Sequence, residues 1–328
     1  MTLRRNKYAK RRIEMKILVF GVGAIGSLMI HYLCKAGNDV TVVARSTYDN
    51  LKNKGLVMEH ILQKKTTVDH PNIVREADCT VKYDIVFSVM QGQQQSAVLD
   101  TLSKVNTRLL VLVGNDPECE RYESYIKEHA VSKRLVLFGF QNSAGHRENG
   151  KAFTLVLPVT ELVIGGIHSS VNPKALSMVK RAFCVKGYKV TPVDDMYAYY
   201  LYHIGEIMPY GLMSYKVGHD LKRLGIGDIK LIIKATKECF DFLKSEGINP
   251  MPPKEDDFYN GGVKGFAMFA LYWIMAKTRL GTICVADHCR SAVAEMTYLD
   301  REFEKFRSAH KTVPMPTWDR LRKYLPKQ

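Results

Sequence analysis

The chain first alternates short apolar runs with amphipathic segments. The runs KILVF, VTVVA, DIVFSV, RLLVLVG and RLVLFGF are separated by segments with helical spacing, among them Gln94–Lys104 and Glu118–Ala130. A strand-rich patch, AFTLVLP and ELVIGG, then precedes a helical pattern over about 172–184 and a last apolar run over 188–192. Strands that alternate with helices are typical of a parallel sheet with helical crossovers. The pattern therefore predicts an α/β fold with a doubly wound parallel sheet.

The alternation stops after residue 194, and long helical segments follow. Apolar positions spaced at three and four residues predict helices over 196–216, 227–246, 262–279 and 287–308. Pro209 lies inside the first of them and predicts a kink, because proline removes one main-chain hydrogen bond. We expect an α/β domain over residues 15–194 and an all-α domain over 195–328. Residues 1–14 are expected to form a basic disordered tail.

A glycine-rich motif, GVGAIG, lies between the first strand and the first helix. It consists of Gly21, Val22, Gly23, Ala24, Ile25 and Gly26. In a Rossmann-type domain the first glycine permits a tight turn, the second lets the main chain approach a pyrophosphate, and the third allows close helix packing. The free N–H groups of the helix N-terminus also favour phosphate. The motif predicts a dinucleotide site, and a tight turn without a ligand is the alternative.

The end of the second strand indicates which nicotinamide cofactor binds. A carboxylate there accepts hydrogen bonds from the adenosine ribose, whereas a basic side chain pairs with the 2′-phosphate of NADP. The strand ends at Arg45, with no carboxylate beside it. A guanidinium binds phosphate bidentately. The sequence therefore predicts NADP(H), unless Arg45 is an ordinary solvated surface residue.

The net positive charge of the chain has several possible interpretations. Its 48 Lys and Arg outnumber 33 Asp and Glu, for a net charge of +15, which could indicate nucleic acid, a membrane surface or small anionic ligands. However, residues 1–14 carry six basic side chains and one acidic one, and the tyrosine-rich stretch 197–202 lacks interleaved arginines. Both observations argue against nucleic-acid binding. No apolar run reaches the roughly 20 residues of a membrane span, so no membrane association is expected.

The cysteines bear on location and metal binding. The seven cysteines are scattered and form no CxxC pair, which is typical of reduced thiols in a cytoplasmic protein. Cys284 and Cys289 bracket His288, but three ligands within so few residues have poor spacing for zinc. We expect a cytoplasmic protein without a metal site.

With these features in place, the chain resembles the ketopantoate reductase family from residue 15 to about 324. The likeness rests on KILVFGVGAIGSLMIHYLCKAGNDVTVVAR, on Asn115 after RLLVLVG, on EMTYLD from Glu295, and on Pro-Met-Pro-Thr over 314–317. That family reduces 2-oxo acids with NADPH. The resemblance implies a Rossmann-type domain followed by a helical one, with Asn115 near the nicotinamide and Glu295 contacting cofactor or substrate at the domain cleft. It also implies a monomer or a homodimer, for which the helical half offers a surface.

The chain departs from the family on the first helix of the helical domain. Family members carry Lys-x3-Asn-x3-Asn-Pro there, with the lysine as general acid. Registering on Pro209 places Tyr200, Ile204 and Met208 at those three positions. The usual proton donor and its two supporting amides are therefore absent.

Two further departures lie on the cofactor side. The family's strand-end lysine, which helps to hold the cofactor, is matched by Gln91, and Asn115 is followed by Asp116 instead of glycine. His146 and Arg147 lie where the family has a loop that lines the cleft. They could contact substrate or be ordinary polar loop residues.

Hydride transfer to a carbonyl needs a proton donor near the developing alkoxide. His203 is the first candidate, because it shares one helical face with Tyr199, Glu206 and Tyr210. If this helix lines the cleft, His203 could donate the proton, Glu206 or Glu295 could orient it, and Tyr200 could be an alternative donor. A purely structural histidine packed among tyrosines is the competing interpretation.

These observations predict an NADP(H)-dependent oxidoreductase acting on a small anionic 2-oxo acid or a related carbonyl. The missing lysine and asparagines motivate a different hypothesis, a non-catalytic NADP-binding protein that has lost the reductase chemistry.

Overall fold

The computed structural model describes residues 14–310 and 313–327. The predicted tail thus lies outside the described residues, except for Glu14. The strands are β1 (Lys16–Phe20), β2 (Asp39–Val43), β3 (Leu56–His60), β4 (Lys65–Asp69), β5 (Asn72–Val74), β6 (Tyr83–Val89), β7 (Thr107–Val113), β8 (Leu135–Asn142), β9 (Gly145–Glu148), β10 (Lys151–Thr154), β11 (Thr160–Gly165) and β12 (Tyr188–Pro192). The helices are α1 (Ala24–Lys35), α2 (Tyr48–Lys54), α3 (Gly92–Gln95), α4 (Leu99–Lys104), α5 (Cys119–His129), α6 (Pro173–Ala182), α7 (Met196–Lys216), α8 (Ile226–Ser245), α9 (Gly262–Lys277), α10 (Arg279–Gly281), α11 (Asp287–Ser291), α12 (Val293–His310) and α13 (Pro316–Arg322).

The larger sheet confirms the predicted α/β fold. Its strand order is β12-β11-β8-β7-β6-β1-β2-β5. Neighbouring strands are parallel, except that β11 runs antiparallel to β8. β1 lies between β2 and β6, so the chain leaves β1 and β6 towards opposite sides of the sheet. Ligands of open α/β sheets bind beyond the carboxyl ends of the strands at such a reversal.

A second, four-stranded sheet with the order β4-β3-β10-β9 was not predicted. The run AFTLVLP supplies β10, which pairs with β3 and β9 instead of joining the larger sheet. The edge strand β4, which pairs with β3, reads KTTVD and is mostly exposed, so it lacks the continuous apolar run that marks a central strand. The small sheet packs against α1, which places β9 beside the glycine motif.

The helices of the second half lie close to the ranges predicted from the sequence. α7 has the predicted bounds and continues through Pro209. The pattern over 287–308 is divided into α11 and α12 at Ala292, whose backbone leaves the helical region. The pattern over 94–104 is similarly divided into α3, a 3₁₀ turn and α4. None of the helices among the described residues is both long and apolar enough to cross a membrane.

α7 connects the sheet to the helical half. It starts at Asp195, whose carboxylate accepts hydrogen bonds from the N–H groups of Tyr197 and Ala198 at 2.9 and 3.4 Å, as an N-cap does. Its first turns, with Tyr199 and Tyr200, pack into the core of the larger sheet. Its later turns form the core of the helical half with α8, α9 and α12. The helix therefore carries any side chain on its cleft face directly past the carboxyl edge of the sheet.

Candidate active site

The glycine motif forms the turn between β1 and α1. Gly21 has φ +91°, a left-handed conformation, and a Cβ there would overlap the carbonyl oxygen of Val89 on β6. A Cβ on Gly26 would overlap the carbonyl oxygen of Gly21. These two glycines are therefore needed for the close packing of the turn, β6 and α1.

Gly23 differs from its neighbours, because the fold itself does not require a glycine there. Its backbone is extended, with φ −66° and ψ −173°, and a Cβ would meet no heavy atom within 4 Å. That Cβ would point into open space at the N-terminus of α1. The close approach of a phosphate to the main chain is the reason that the Rossmann motif has glycine at this position, so the turn fits a dinucleotide.

A cleft of about 290 Å³ lies beside this turn. It is lined by Gly21–Gly23, by Arg45–Thr47 at the end of β2, and by Met90 after β6. The side chain of Arg45 is exposed and has no acidic partner among the described residues. The glycine turn predicted to bind the pyrophosphate and the arginine predicted to bind the 2′-phosphate therefore line the same cleft.

Three further residues predicted to hold the cofactor, Ala24, Ile25 and Gln91, lie one or two positions in sequence from residues that line this cleft but do not line it themselves. Ala24 is buried, and Ile25 packs against the core beneath the larger sheet, so both support the turn from the protein side. Gln91 is half-buried at the N-terminus of α3, where its Oε1 accepts a hydrogen bond from Gln93 at 2.8 Å.

Asn115 and Glu295, which the family resemblance placed separately near the cofactor or substrate, contact each other. Asn115 follows β7 at the carboxyl edge of the sheet, and Glu295 lies in the first turn of α12. The amide Nδ2 of Asn115 donates to Oε1 of Glu295 at 3.4 Å. Glu295 is only 5% exposed, and Oδ1 of Asn115 is buried without a hydrogen-bond partner in the described structure. A buried acceptor left open beside a carboxylate is a place where a polar ligand could bind.

Tyrosine contacts hold α12 against the sheet. The hydroxyl of Tyr298 donates to Glu118 at 3.0 Å and lies 3.1 Å from the hydroxyl of Tyr122. Tyr122 in turn donates to the carbonyl oxygen of Gly92 at 3.1 Å. These buried contacts fix α12, and with it Glu295, against the loops that follow β6 and β7.

Asp116, which stands where the family has glycine, is completely buried. Neither carboxyl oxygen makes a hydrogen bond of standard geometry with a described residue, although the Gln95 amide lies nearby. Burial, reinforced by the negative charge of Glu295, raises the pKa of Asp116 well above its ordinary value. Both effects disfavour the ionised form of Asp116.

His288 is a member of this site that the sequence did not predict. Its Nε2 lies 3.6 Å from Oε2 of Glu295, and its side chain is 37% exposed. It lies on α11, directly after a π-helical turn over Thr282–Ala286, a feature that is often found at functional sites. In the sequence, His288 stood out only as a poor zinc ligand. His288 and Glu295 are seven positions apart, about two helical turns, but the helix breaks at Ala292 between them, so this spacing alone did not show that both face the same cleft.

His203 lies near His288, but its side chain is less exposed, at 17% compared with 37%. Its ring lies 4.2 Å from that of Phe140, centroid to centroid, and its Nδ1 is 3.9 Å from Oε2 of Glu206. Burial, together with the charge of His288, lowers the pKa of His203 to about 4. Burial and the negative charge of Glu255 raise the pKa of Glu206. At neutral pH the His203 ring is therefore uncharged.

The positions that match the family's lysine and asparagines lie in the protein interior. Tyr200, Ile204 and Met208 are fully buried. The hydroxyl of Tyr200 donates to the carbonyl oxygen of Gly139 on β8 at 3.0 Å. The structure therefore gives Tyr200 a main-chain partner inside the fold, and its hydroxyl does not reach the open cleft from there.

β9 connects the two ends of the site. Arg147 donates to the carbonyl oxygen of Val22, within the glycine turn, at 2.9 Å, and to that of Gly150 at 2.9 Å. His146 stacks on Phe153, with ring centroids 5.1 Å apart. α11, which carries His288, packs against the same strand. The phosphate turn and the Asn115–Glu295–His288 row are thus joined through β9.

No group of three or more His, Cys, Asp or Glu within the described ranges is arranged to hold a metal ion. The seven cysteines are free thiols, and the pKa of the Cys289 thiol is raised to about 12 by burial. His288 contacts a carboxylate instead.

Comparisons with known proteins agree with this architecture. The family described as "Ketopantoate reductase PanE/ApbA" matches residues 17–115. A 2-dehydropantoate 2-reductase from Aquifex aeolicus (strain VF5) is 24% identical over 190 residues, which cover 56% of this chain and 57% of that protein. The sequence match thus spans little more than half the length of this curated relative.

Solved structures extend the likeness to nearly the whole chain. A PanE/ApbA family ketopantoate reductase from Ralstonia eutropha JMP134 has a TM-score of 0.69 at 17% identity, covering 95% of this chain and 97% of that one. D-mandelate dehydrogenase, solved in a ternary structure with NADH and anilino(oxo)acetate, has a TM-score of 0.68 at 13% identity, with the same coverage. The predicted resemblance is thereby confirmed: the chain is similar to ketopantoate reductases, by sequence over residues 17–115 and by fold over almost its whole length.

Proposed function

We propose that the protein is an NADP(H)-dependent oxidoreductase that transfers hydride between the nicotinamide and a small anionic 2-oxo acid or related carbonyl. One observation carries the proposal. The Asn115–Glu295–His288 row lies at the same edge of the sheet as a cleft lined by a dinucleotide-type glycine turn and Arg45. A cofactor site beside a polar, half-buried row is the arrangement that carbonyl reduction requires.

The cofactor end of the proposal rests on the chain's own groups. The N–H groups at the start of α1 and the open space at Gly23 would receive the pyrophosphate. Arg45 would bind the 2′-phosphate, since its guanidinium is exposed and unpaired among described residues. Gln91 and Asn115 would lie nearer the nicotinamide. When bound, NADPH supplies the hydride.

The substrate end uses the half-buried polar row. Asn115 and Glu295 would orient the carbonyl, and the net charge of +15 favours an anionic substrate. His203 would act as a neutral hydrogen-bond donor, because a group with a pKa of about 4 is protonated in only roughly one molecule in a thousand at pH 7. Tyr200 is proposed as a structural residue, since Gly139 already accepts its hydrogen bond.

The non-catalytic alternative has one specific observation in its favour. Tyr200, Ile204 and Met208 are core residues at the positions where the family carries its catalytic groups. A chain that kept only the cofactor cleft would bind NADPH and reduce nothing.

One experiment separates these possibilities. The purified protein is titrated with NADPH and NADH by fluorescence, and NADPH oxidation is then followed with a panel of 2-oxo acids. We expect tighter binding of NADPH, and turnover with at least one member of the panel. Arg45→Ala should weaken NADPH binding by about 10- to 150-fold, the equivalent of about 1.5–3 kcal/mol for a charged hydrogen bond, and leave NADH binding unchanged. Binding without any turnover would favour the non-catalytic alternative.

The helical half supports a second copy of the chain as a partner. α9 exposes apolar side chains along one side, with Val263 88%, Phe266 73%, Leu271 45% and Ile274 52% exposed. A contiguous apolar surface of this kind marks an interaction site. We therefore propose a homodimer that pairs through α9.

A cytoplasmic location is proposed on the separate ground that all seven cysteines are free.

A further inference from the structure

We propose that His288 is the proton donor of this active site and takes the place of the family's missing lysine. The proposal rests on the proposed function and goes beyond it, because it names the group that completes the reaction. It starts from the contact between Nε2 of His288 and Oε2 of Glu295 at 3.6 Å.

The buried carboxylate of Glu295 has the His288 ring as a neighbour. Glu295 is 5% exposed, and its other oxygen is occupied by the amide of Asn115 at 3.4 Å. Among the described residues no Lys or Arg contacts Glu295. A buried carboxylate needs a hydrogen-bonding or charged partner, and His288 is the basic side chain within reach. The same contact orients the ring, as the carboxylate of a catalytic triad orients its histidine.

The other candidate donors are less suited to the task. His203 is half-buried, packs against Phe140 and is uncharged at neutral pH. The Tyr200 hydroxyl is bonded to Gly139 inside the fold. Asp116 has no exposed surface. His288 combines a paired carboxylate with 37% exposure, so it can reach a substrate and regain its proton from solvent after each turnover.

The other charged groups around His288 leave it free to act. α12 contributes Glu295, and α7 contributes the neutral His203. The packed strand β9 contributes His146, Arg147 and Glu148, and His146 lies 4.0 Å from Glu148. On α11 itself, Asp287 is paired with Arg290 at 2.8 Å. Nδ1 of His288 has no hydrogen-bond partner among the described residues and is the nitrogen left to face a ligand.

In the proposed reduction, the substrate receives a hydride from the cofactor and a proton from His288. The carbonyl carbon receives the hydride from the dihydronicotinamide, which is oxidised, and a new C–H bond forms. The π bond of the carbonyl breaks and its electron pair moves to oxygen. The oxygen takes the proton from Nδ1 of His288, which leaves a hydroxy acid and a neutral imidazole. The contact of Glu295 with Nε2 holds the ring in place.

The test compares His288→Gln with the wild type. Glutamine keeps a side-chain N–H for Glu295 but has no transferable proton. We expect the NADPH dissociation constant to stay within about twofold, whereas kcat falls by roughly 10²- to 10⁴-fold, the usual contribution of a general acid. Imidazole added to His288→Ala should restore part of the rate, which it would not do for a structural residue. His129→Gln is the matched control, because that ring is exposed on α5 and bonds only to the Tyr125 carbonyl.

A second readout does not depend on turnover. The ring resonance of His288, assigned by its absence from His288→Gln, should shift when NADP⁺ and oxamate are added together. Turnover in His288→Gln within threefold of wild type, an unshifted resonance, or loss of NADPH binding in the variant would each overturn the role of His288 and leave the proposed function standing. If the wild-type protein fails to oxidise NADPH with every 2-oxo acid of the panel, the proposed function is refuted, and the role of His288 with it.

Discussion

Replacing Gly23 with alanine separates the needs of the fold from those of the cofactor. The backbone of Gly23, with φ −66° and ψ −173°, is open to any residue, and its Cβ would meet nothing within 4 Å. Two small effects on the free energy of unfolding then oppose each other. Alanine restricts the unfolded chain, which stabilises by about 0.4–1 kcal/mol, but it is a poorer N-cap than glycine by a similar amount. We expect Gly23→Ala to unfold within about 1 kcal/mol of the wild type.

NADPH binding should respond very differently. The added methyl group would occupy the space in which the pyrophosphate approaches the main chain, so at least one charged hydrogen bond is lost. Such a bond contributes about 1.5–3 kcal/mol, which raises the dissociation constant by roughly 10- to 150-fold. The assay is a fluorescence titration with NADPH beside a urea unfolding curve of the same preparation. Gly227→Ala on α8 is the matched control, since its Cβ is equally unobstructed and it lies in the helical half.

Two results would refute this reasoning. If Gly23→Ala binds NADPH as the wild type does, the pyrophosphate does not lie at this turn. If the substitution lowers the free energy of unfolding by more than about 2 kcal/mol, Gly23 has a structural role that its surroundings do not reveal.

Three further predictions concern the buried acid, the first helix of the helical half and the exposed face of α9. Because burial raises the pKa of Asp116 above 3.8, the unfolded chain ionises at a lower pH than the folded one. Asp116→Asn should therefore be more stable than wild type at pH 7 and lose this advantage as the pH falls below about 4, measured by urea unfolding at both pH values. Tyr200→Phe removes one of two hydrogen bonds to the Gly139 carbonyl, so it should cost about 0.5–1.5 kcal/mol of stability and leave kcat within about twofold; a much larger loss of kcat would restore Tyr200 as a proton donor. Phe266→Glu should convert a dimer into a monomer in light scattering, and an unchanged mass would argue against pairing through α9.

Much of the cofactor side could be predicted because its signals are local. The turn after β1 needs Gly21 and Gly26 for reasons that involve only the adjoining strand and helix, and this requirement leaves a fixed spacing in the sequence. Arg45 follows from the end of β2 in the same way. The bounds of β1 and α7 agree with the sequence because each is a continuous apolar or periodic segment.

The catalytic side depends on contacts between distant segments. Glu295 could be placed at the cleft only through a family resemblance, and its contact with Asn115 spans 180 residues. His203 was the better candidate on helical spacing, but spacing does not report burial, and burial is what removes its charge. His288 lies in a segment whose helical pattern is broken at Ala292, so periodicity alone could not place it opposite Glu295.

The sequence by itself determined the alternation of the main parallel strands with helices, the change to a helical half, and the turn that suits a dinucleotide. These depend on hydrophobic periodicity and on glycines whose neighbours are close in the chain. Only the tertiary structure decided that β10 leaves the larger sheet, that Tyr200 lies in the core, and that His288 meets Glu295. Each of these is set by packing between segments far apart in sequence, where burial and charge pairing, rather than local pattern, determine what a side chain can do.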